Sequence, residues 1–208
     1  MKNIPCDMHT HSVFSHDGGK DSSIDALCLR AIELGLSCLA ITDHCDVNGE
    51  AEKIYASYDS DGAWQAMCAA KEKYRGSLNL ILGIELGQPE QYPEVAEAFL
   101  RRHPYEFIIG SVHNLDKMPD FCMMNFEYIP DALASQLFDR TLDEMNALID
   151  FPITTLAHLT YQTRYMAIAG KHFDFAPHRD KTAALLKKLI SRGIALEVNV
   201  STVWRGLG

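Results

Sequence analysis

Six side chains in this sequence combine a metal-binding residue type with a repeated position. His9 and His11 stand two residues apart, directly behind a short apolar run. His44 closes Thr42-Asp43-His44, Glu85 closes Gly83-Ile84-Glu85, His113 closes Ser111-Val112-His113, and His158 closes Ala157-His158. Neutral imidazole and carboxylate are common ligands of zinc, manganese and iron. Residues two apart on an extended chain point the same way, so His9 and His11 can face one ion. Glu85 ends a strongly apolar run, and a buried carboxylate is costly unless it is paired or bound to metal. That makes it the favoured acid for bridging two ions. His103, His172 and His178 lie in polar or helix-end contexts and read as ordinary surface histidines.

The runs in front of these residues are Ile4–Met8, Ser37–Thr42, Leu78–Ile84, Glu106–Val112 and Ile153–Ala157, and a sixth follows at Ile194–Val198. They are short, rich in Ile, Leu and Val, and almost continuously apolar, as parallel strands covered on both faces are. Helical spacing separates them. Ser22 is placed to cap a helix that carries Ile24, Leu27, Cys28, Ala31 and Leu34, with Gly35 as its left-handed stop. A second helix starts near Asp131, with Ala134, Leu137, Phe138, Leu142, Met145, Leu148 and Ile149 on one face. A third runs from about Pro177 to Arg192, with Leu185, Leu186, Leu189 and Ile190 apolar. Ala63–Tyr74 and Tyr92–Arg102 are weaker helix candidates. The alternation predicts a parallel sheet or barrel. In a parallel β/α barrel the strand ends form one rim, which holds the active site. Two long connections, Asp43–Asp61 and His113–Pro130, have the length of functional loops.

The whole chain bounds the function further. Its 208 residues suffice for a single domain spanning 1–208. A net charge of −9 argues against nucleic acid, which calls for a basic surface. An acidic enzyme still binds an anionic substrate where metals and a few arginines reverse the field locally. No apolar run is long enough to cross a membrane. The first strand begins almost at once, which leaves no room for a signal peptide and predicts a cytoplasmic location. The six cysteines contain no CxxC pair, and most read as small buried hydrophobes.

The segment Asp7-Met8-His9-Thr10-His11-Ser12-Val13-Phe14-Ser15-His16-Asp17-Gly18, with the four later motifs, resembles the polymerase and histidinol phosphatase (PHP) family. The resemblance runs from Asp7 to Gly208. It implies a distorted (β/α)7 barrel, here incomplete with six recognisable parallel strands, around two to three divalent ions (Zn, Mn or Fe) that hydrolyse phosphoesters. Carried over, His9 and His11 bind the first metal, Glu85 bridges the first and second, and His113 and His158 complete the second. His44 binds the third, together with Asp17 at the position where the family has His or Asp. His16 is the alternative there, or a substrate contact. The segments His158–Tyr165 and Asn199–Gly206 are similar to segments of monofunctional histidinol phosphatases in which an arginine holds the substrate phosphate. Arg164 and Arg205 stand there, and a guanidinium fork suits phosphate oxygens. Family members continue into an Asp-x-His motif that supplies ligands to the first and third metals. That motif lies on a last strand beyond a further helix, and this sequence stops at Gly208 before either, which predicts an open strand edge, a poorly occupied third metal and weak catalysis.

The chemistry implied is hydrolysis of a small phosphorylated substrate by metal-activated water, without a covalent enzyme nucleophile. L-histidinol phosphate is the leading substrate. The alternatives are another phosphoester (phosphotyrosine, a nucleotide or a sugar phosphate) and a metal-binding domain with little activity. The acidic charge and the lack of an attached polymerase argue against an exonuclease.

Overall fold

The computed structural model describes residues 5–53 and 58–200. The chain divides between Ile109 and Gly110 into two compact units. The first contains β1 (Cys6–Thr10), α1 (Ile24–Glu33), β2 (Cys38–Ile41), β3 (His44–Asp46), α2 (Val47–Glu52), α3 (Ser60–Lys73), β4 (Asn79–Gly87) and α4 (Pro93–Leu100). β5 (Phe107–Ser111) runs across the division. The second unit continues with α5 (Asp131–Leu148), β6 (Thr155–Leu156), α6 (Tyr161–Ile168), α7 (Arg179–Arg192) and β7 (Ala195–Leu196). All six expected strands are present among the described residues, although Ile4, where the first was expected to begin, lies outside them.

In the first unit β2 is parallel to β1 on one side and to β4 on the other, with Cys38 beside both Cys6 and Asn79. β4 is long enough to pair twice. Its first half takes β2, and its second half takes β3, with His44 opposite Glu85. Leu39, Ile41, Leu80 and Leu82 alternate along their strands, so they share a face. That face is covered by Ile24, Cys28 and Ala31 of α1 and by Met67, Ala70 and Tyr74 of α3. Gly83 lies where neighbouring backbones close in. A Cβ there would meet Ile41 O at 2.9 Å and Phe107 O at 3.0 Å.

The cap of α1 is Ser23, whose side chain accepts from Ala26 N–H. The expected cap, Ser22, instead donates to Gly19 O. The Asp43–Asp61 connection is also more structured than its composition implied, since it contains β3 and α2.

In the second unit β6 and β7 are parallel, Thr155 with Ala195 and Leu156 with Leu196. Ala157 N–H donates to Gly110 O at 2.9 Å. α5 begins after Pro130, as expected, and buries Ala134, Leu137, Phe138, Leu142, Met145 and Leu148. α7 buries Leu185 and Leu189 and clamps α5 through Lys181 on Asp139 and Lys188 on the Asn146 carbonyl. Its expected apolar face is narrower than the pattern suggested, because Ile190 is 78% exposed.

His178 is not a surface histidine. It is buried, stacked on Phe173, and its Nε2 lies 2.9 Å from Ser135 Oγ. His103 is also largely covered, stacked on Trp64 with its Nε2 2.9 Å from Asp61. Three cysteines are buried (Cys28, Cys38, Cys45) and three are exposed (Cys6, Cys68, Cys122). Among the described residues no helix is long and apolar enough to cross a membrane.

Candidate metal centre

β1 ends at Thr10, so His9 leaves the last part of the strand and His11 the first residue beyond it. β4 brings Glu85 to them from within the apolar sheet, fully buried. His9 Nε2 lies 3.1 Å from His11 Nε2 and 3.0 Å from Glu85 Oε2. His11 Nε2 lies 3.1 Å from the same oxygen. Two facing imidazole nitrogens share at most one proton along the line between them, and the carboxylate donates none. Three donors this close are therefore poorly served by hydrogen bonding alone. They suit a cation, because neighbouring ligands on bonds of about 2.1 Å are separated by about 3.0 Å in octahedral and 3.4 Å in tetrahedral sites.

A second group grows from the first. Both oxygens of Asp17 lie 2.9–3.0 Å from His11 Nδ1. His44 Nε2 lies 3.6 Å from Asp17 Oδ2, and His44 Nδ1 lies 3.3 Å from Glu85 Oε2. Thus His9, His11 and Glu85 could hold one ion, and His11, Asp17 and His44 another. A carboxylate on the far nitrogen of a ligand histidine is also the arrangement that orients such a ring. Exposed His16 sits beside this group, its ring 4.7 Å from that of His44. His44 belongs to β3 rather than to the turn after β2, and its pairing with Glu85 across the ladder fixes their distance.

The charges in this group are coupled. Burial works against a charged His11, but hydrogen bonds and attraction from Asp17 and Glu85 overcome it and raise the ring to about 9. Burial likewise opposes the charge on Asp17, yet hydrogen bonds with His11, His44 and Ser15 hold its carboxyl well below the ordinary range.

Residues that the sequence did not single out hold this geometry. Asp43 is fully buried and accepts from Ser12 N–H at 2.5 Å and from Ser12 Oγ at 2.7 Å. It ties the chain leaving β1 to the end of β2. Ser15 Oγ donates to Asp17 at 2.7 Å and accepts His44 N–H at 3.2 Å. Gly18 closes the same loop, where a Cβ would fall 1.8 Å from Ser12 O. The only signal in the sequence was that Asp43 and Ser12 each adjoin a candidate ligand.

In the second unit His113 and His158 are 3% and 7% exposed, with Nε2 atoms 3.3 Å apart. Two buried imidazoles facing each other at this spacing again match neighbouring ligands of one ion. Tyr161, on the first turn of α6, packs its ring 5.2 Å from His113 and 4.8 Å from His158. Its hydroxyl donates to Asp120 at 3.1 Å and accepts from Tyr165 at 3.0 Å. Burial pushes that hydroxyl far above its ordinary value, so it stays protonated. His158 N–H is held by Glu197 at 2.8 Å.

Arg164, three residues beyond Tyr161, lies over its ring and donates to Asn199 Oδ1 at 3.2 Å. Its Nε is buried with no hydrogen-bond partner among the described residues. Arg205 lies outside the described residues.

Parallel strands that deliver histidines and a buried carboxylate into clusters of this spacing define an α/β protein with side-chain groups that could hold metal ions. The PHP domain model matches residues 7–201, a stretch that runs through both units, and the chain belongs to that family. A probable histidinol-phosphatase of Thermotoga maritima is 29% identical over 201 residues, covering 96% of this chain and 71% of the relative. A probable histidinol-phosphatase of Clostridium acetobutylicum is 25% identical over 195 residues, covering 93% and 72%. The crystal structure of histidinol phosphate phosphatase from Lactococcus lactis, complexed with zinc, L-histidinol and phosphate, superposes with a TM-score of 0.76 at 22% identity. It covers 95% of this chain and 73% of that one, and it bears out the α/β fold expected from the sequence.

Proposed function

We propose that this protein is a metal-dependent phosphomonoesterase acting on L-histidinol phosphate. The observation that carries the reading is the triangle of His9, His11 and Glu85 donors, 3.0–3.1 Å on each side, in a chain of the PHP family. The names of its relatives supply the substrate.

In this reading His9, His11 and Glu85 hold one divalent ion, and His44 with Asp17 holds another. His113 and His158 serve as ligands in the second unit. Zinc, manganese and iron all suit imidazole and carboxylate donors. When bound, such ions acidify water and offset phosphate charge. The chain's own residues do the rest. Asp17 accepts from His11 Nδ1 and fixes that ring's orientation. Tyr161 walls the His113–His158 pair and keeps its proton. Arg164, with a buried Nε in need of an acceptor, binds and orients the phosphate, and Arg205 is its expected companion. His16, exposed beside His44, is placed to meet the substrate.

The test is turnover of histidinol phosphate against a panel containing phosphotyrosine, a nucleoside monophosphate and a sugar phosphate. The protein is first stripped of metal and then supplied with zinc, manganese or iron(II). Metal-dependent release of phosphate, fastest from histidinol phosphate and abolished by Glu85→Gln, is expected. Equal turnover in the stripped protein would refute the metal role, and preference for another ester would refute the substrate.

A further inference from the structure

A second cluster of ligand atoms lies on the same strands and is built from sulfur. Cys6 of β1 and Cys38 of β2 are register partners, so their side chains stand side by side on neighbouring strands. Met8 follows two residues after Cys6, and its Sδ lies 3.8 Å from Cys38 Sγ. Burial first, and then the neighbouring Cys6 thiol, push the Cys38 thiol up. Asn79 Nδ2, from β4, donates to Cys38 Sγ at 3.7 Å. Cys38 is 7% exposed while Cys6 is exposed, which leaves the cluster with a way in.

Thiols and thioethers are weak hydrogen-bonding groups, and a trio of them gains little from contact with one another. Their strong chemistry is with soft ions, for which Cys and Met sulfur select over imidazole and carboxylate. Three sulfurs around one ion on bonds of about 2.3 Å are separated by about 4.0 Å, close to the 3.8 Å between Met8 and Cys38. Both cysteines are free thiols.

We propose that Cys6, Met8 and Cys38 form a binding site for one thiophilic monovalent ion, of the cuprous class. Binding breaks two S–H bonds, forms two thiolate–metal bonds and one thioether–metal bond, and passes two protons to solvent. No group changes oxidation state. The ion would cross-link β1 to β2, the strands that lead into His9, His11, Asp43 and His44.

The experiment uses full-length, zinc-loaded protein with the exposed thiols Cys68 and Cys122 changed to Ser, checked for an unchanged melting temperature. Cuprous ion is added anaerobically against a competing chromophoric chelator, and the product is examined by copper-edge X-ray absorption and by zinc analysis. One tight equivalent is expected, with a shell of three sulfurs at about 2.3 Å and zinc content unchanged. Cys6→Ser, at an exposed position, should abolish that equivalent. Met8→Leu should weaken it by about tenfold or more. Undiminished binding in Cys6→Ser, a shell dominated by nitrogen, or release of zinc on copper uptake would overturn the proposal.

Discussion

Asp43 offers the sharpest test of how the fold holds the site. It touches no proposed ion directly, yet its two oxygens take the N–H and the hydroxyl of Ser12, one residue past His11. Asp43→Ala strands both Ser12 donors in a fully buried setting. Hydrogen bonds to a charged acceptor contribute about 1.5–3 kcal/mol each, and stranded donors cost a similar amount, so the loss is about 3–5 kcal/mol. For a chain of this size each kcal/mol moves the melting temperature by about 2–4 °C, so the expected drop is roughly 6–20 °C. Asp43→Asn can still accept from the N–H and donate to the hydroxyl oxygen, so it should lose only the charge-assisted part, about 1 kcal/mol. Calorimetry gives the stabilities, and titration with zinc gives the affinities. Zinc affinity should fall at least about tenfold in the Ala variant, as for other outer supports of a metal site, and stay near wild type in the Asn variant. An Ala variant with wild-type melting temperature and zinc affinity would refute the claim that Asp43 holds the His9–His11 segment in place.

His11 makes a pH prediction. Without metal its ring is raised to about 9, so the stabilisation from Asp17 and Glu85 is complete below the unfolded value of about 6.5. It is lost as pH rises through about 9. An incoming ion displaces that proton, so zinc affinity should rise with pH up to about 9, with close to one proton released from this ring near pH 7. Titration calorimetry in buffers of different ionisation enthalpy measures it, and zero release would count against the protonated ring. Arg164→Ala should raise KM for phosphomonoesters by tenfold or more, on the order of the 1.5–3 kcal/mol of a charge-assisted hydrogen bond, while leaving zinc content unchanged; an unaltered KM would exclude the phosphate contact. Gly18→Ala, whose Cβ would overlap Ser12 O, should force the Ser12–Asp17 loop open and weaken zinc binding with little change in far-UV circular dichroism. Wild-type zinc affinity in that variant would show that the loop does not set the geometry.

Much of the candidate site was legible because it depends on local order. His9 and His11, two apart at a strand end, and Glu85, an acid inside an apolar run, announce themselves without tertiary information. What escaped depends on contacts far along the chain. β3 is only His-Cys-Asp, too short for any periodicity, and exists because β4 is long enough to pair twice. α6 has little apolar patterning, since its first-turn Tyr161 packs against His113 and His158 rather than into a core stripe. His178 sits in a polar stretch and is buried only because Phe138 and Phe173 enclose its ring. Asp43 stood in the sequence only as the neighbour of His44, and its partner Ser12 is 31 residues away. Cys6, Cys68 and Cys122 proved exposed, because cysteine is apolar enough to be read as core but small enough to be left outside.

The most direct test is a crystal structure of the zinc-loaded protein with anomalous scattering recorded on both sides of the zinc edge, alongside the same measurement on Glu85→Gln. The account predicts a zinc peak about 2.0–2.2 Å from His9 Nε2, His11 Nε2 and Glu85 Oε2, lost or strongly reduced in the variant. Zinc elsewhere, with these three side chains keeping their mutual contacts and phosphatase activity intact, would contradict it.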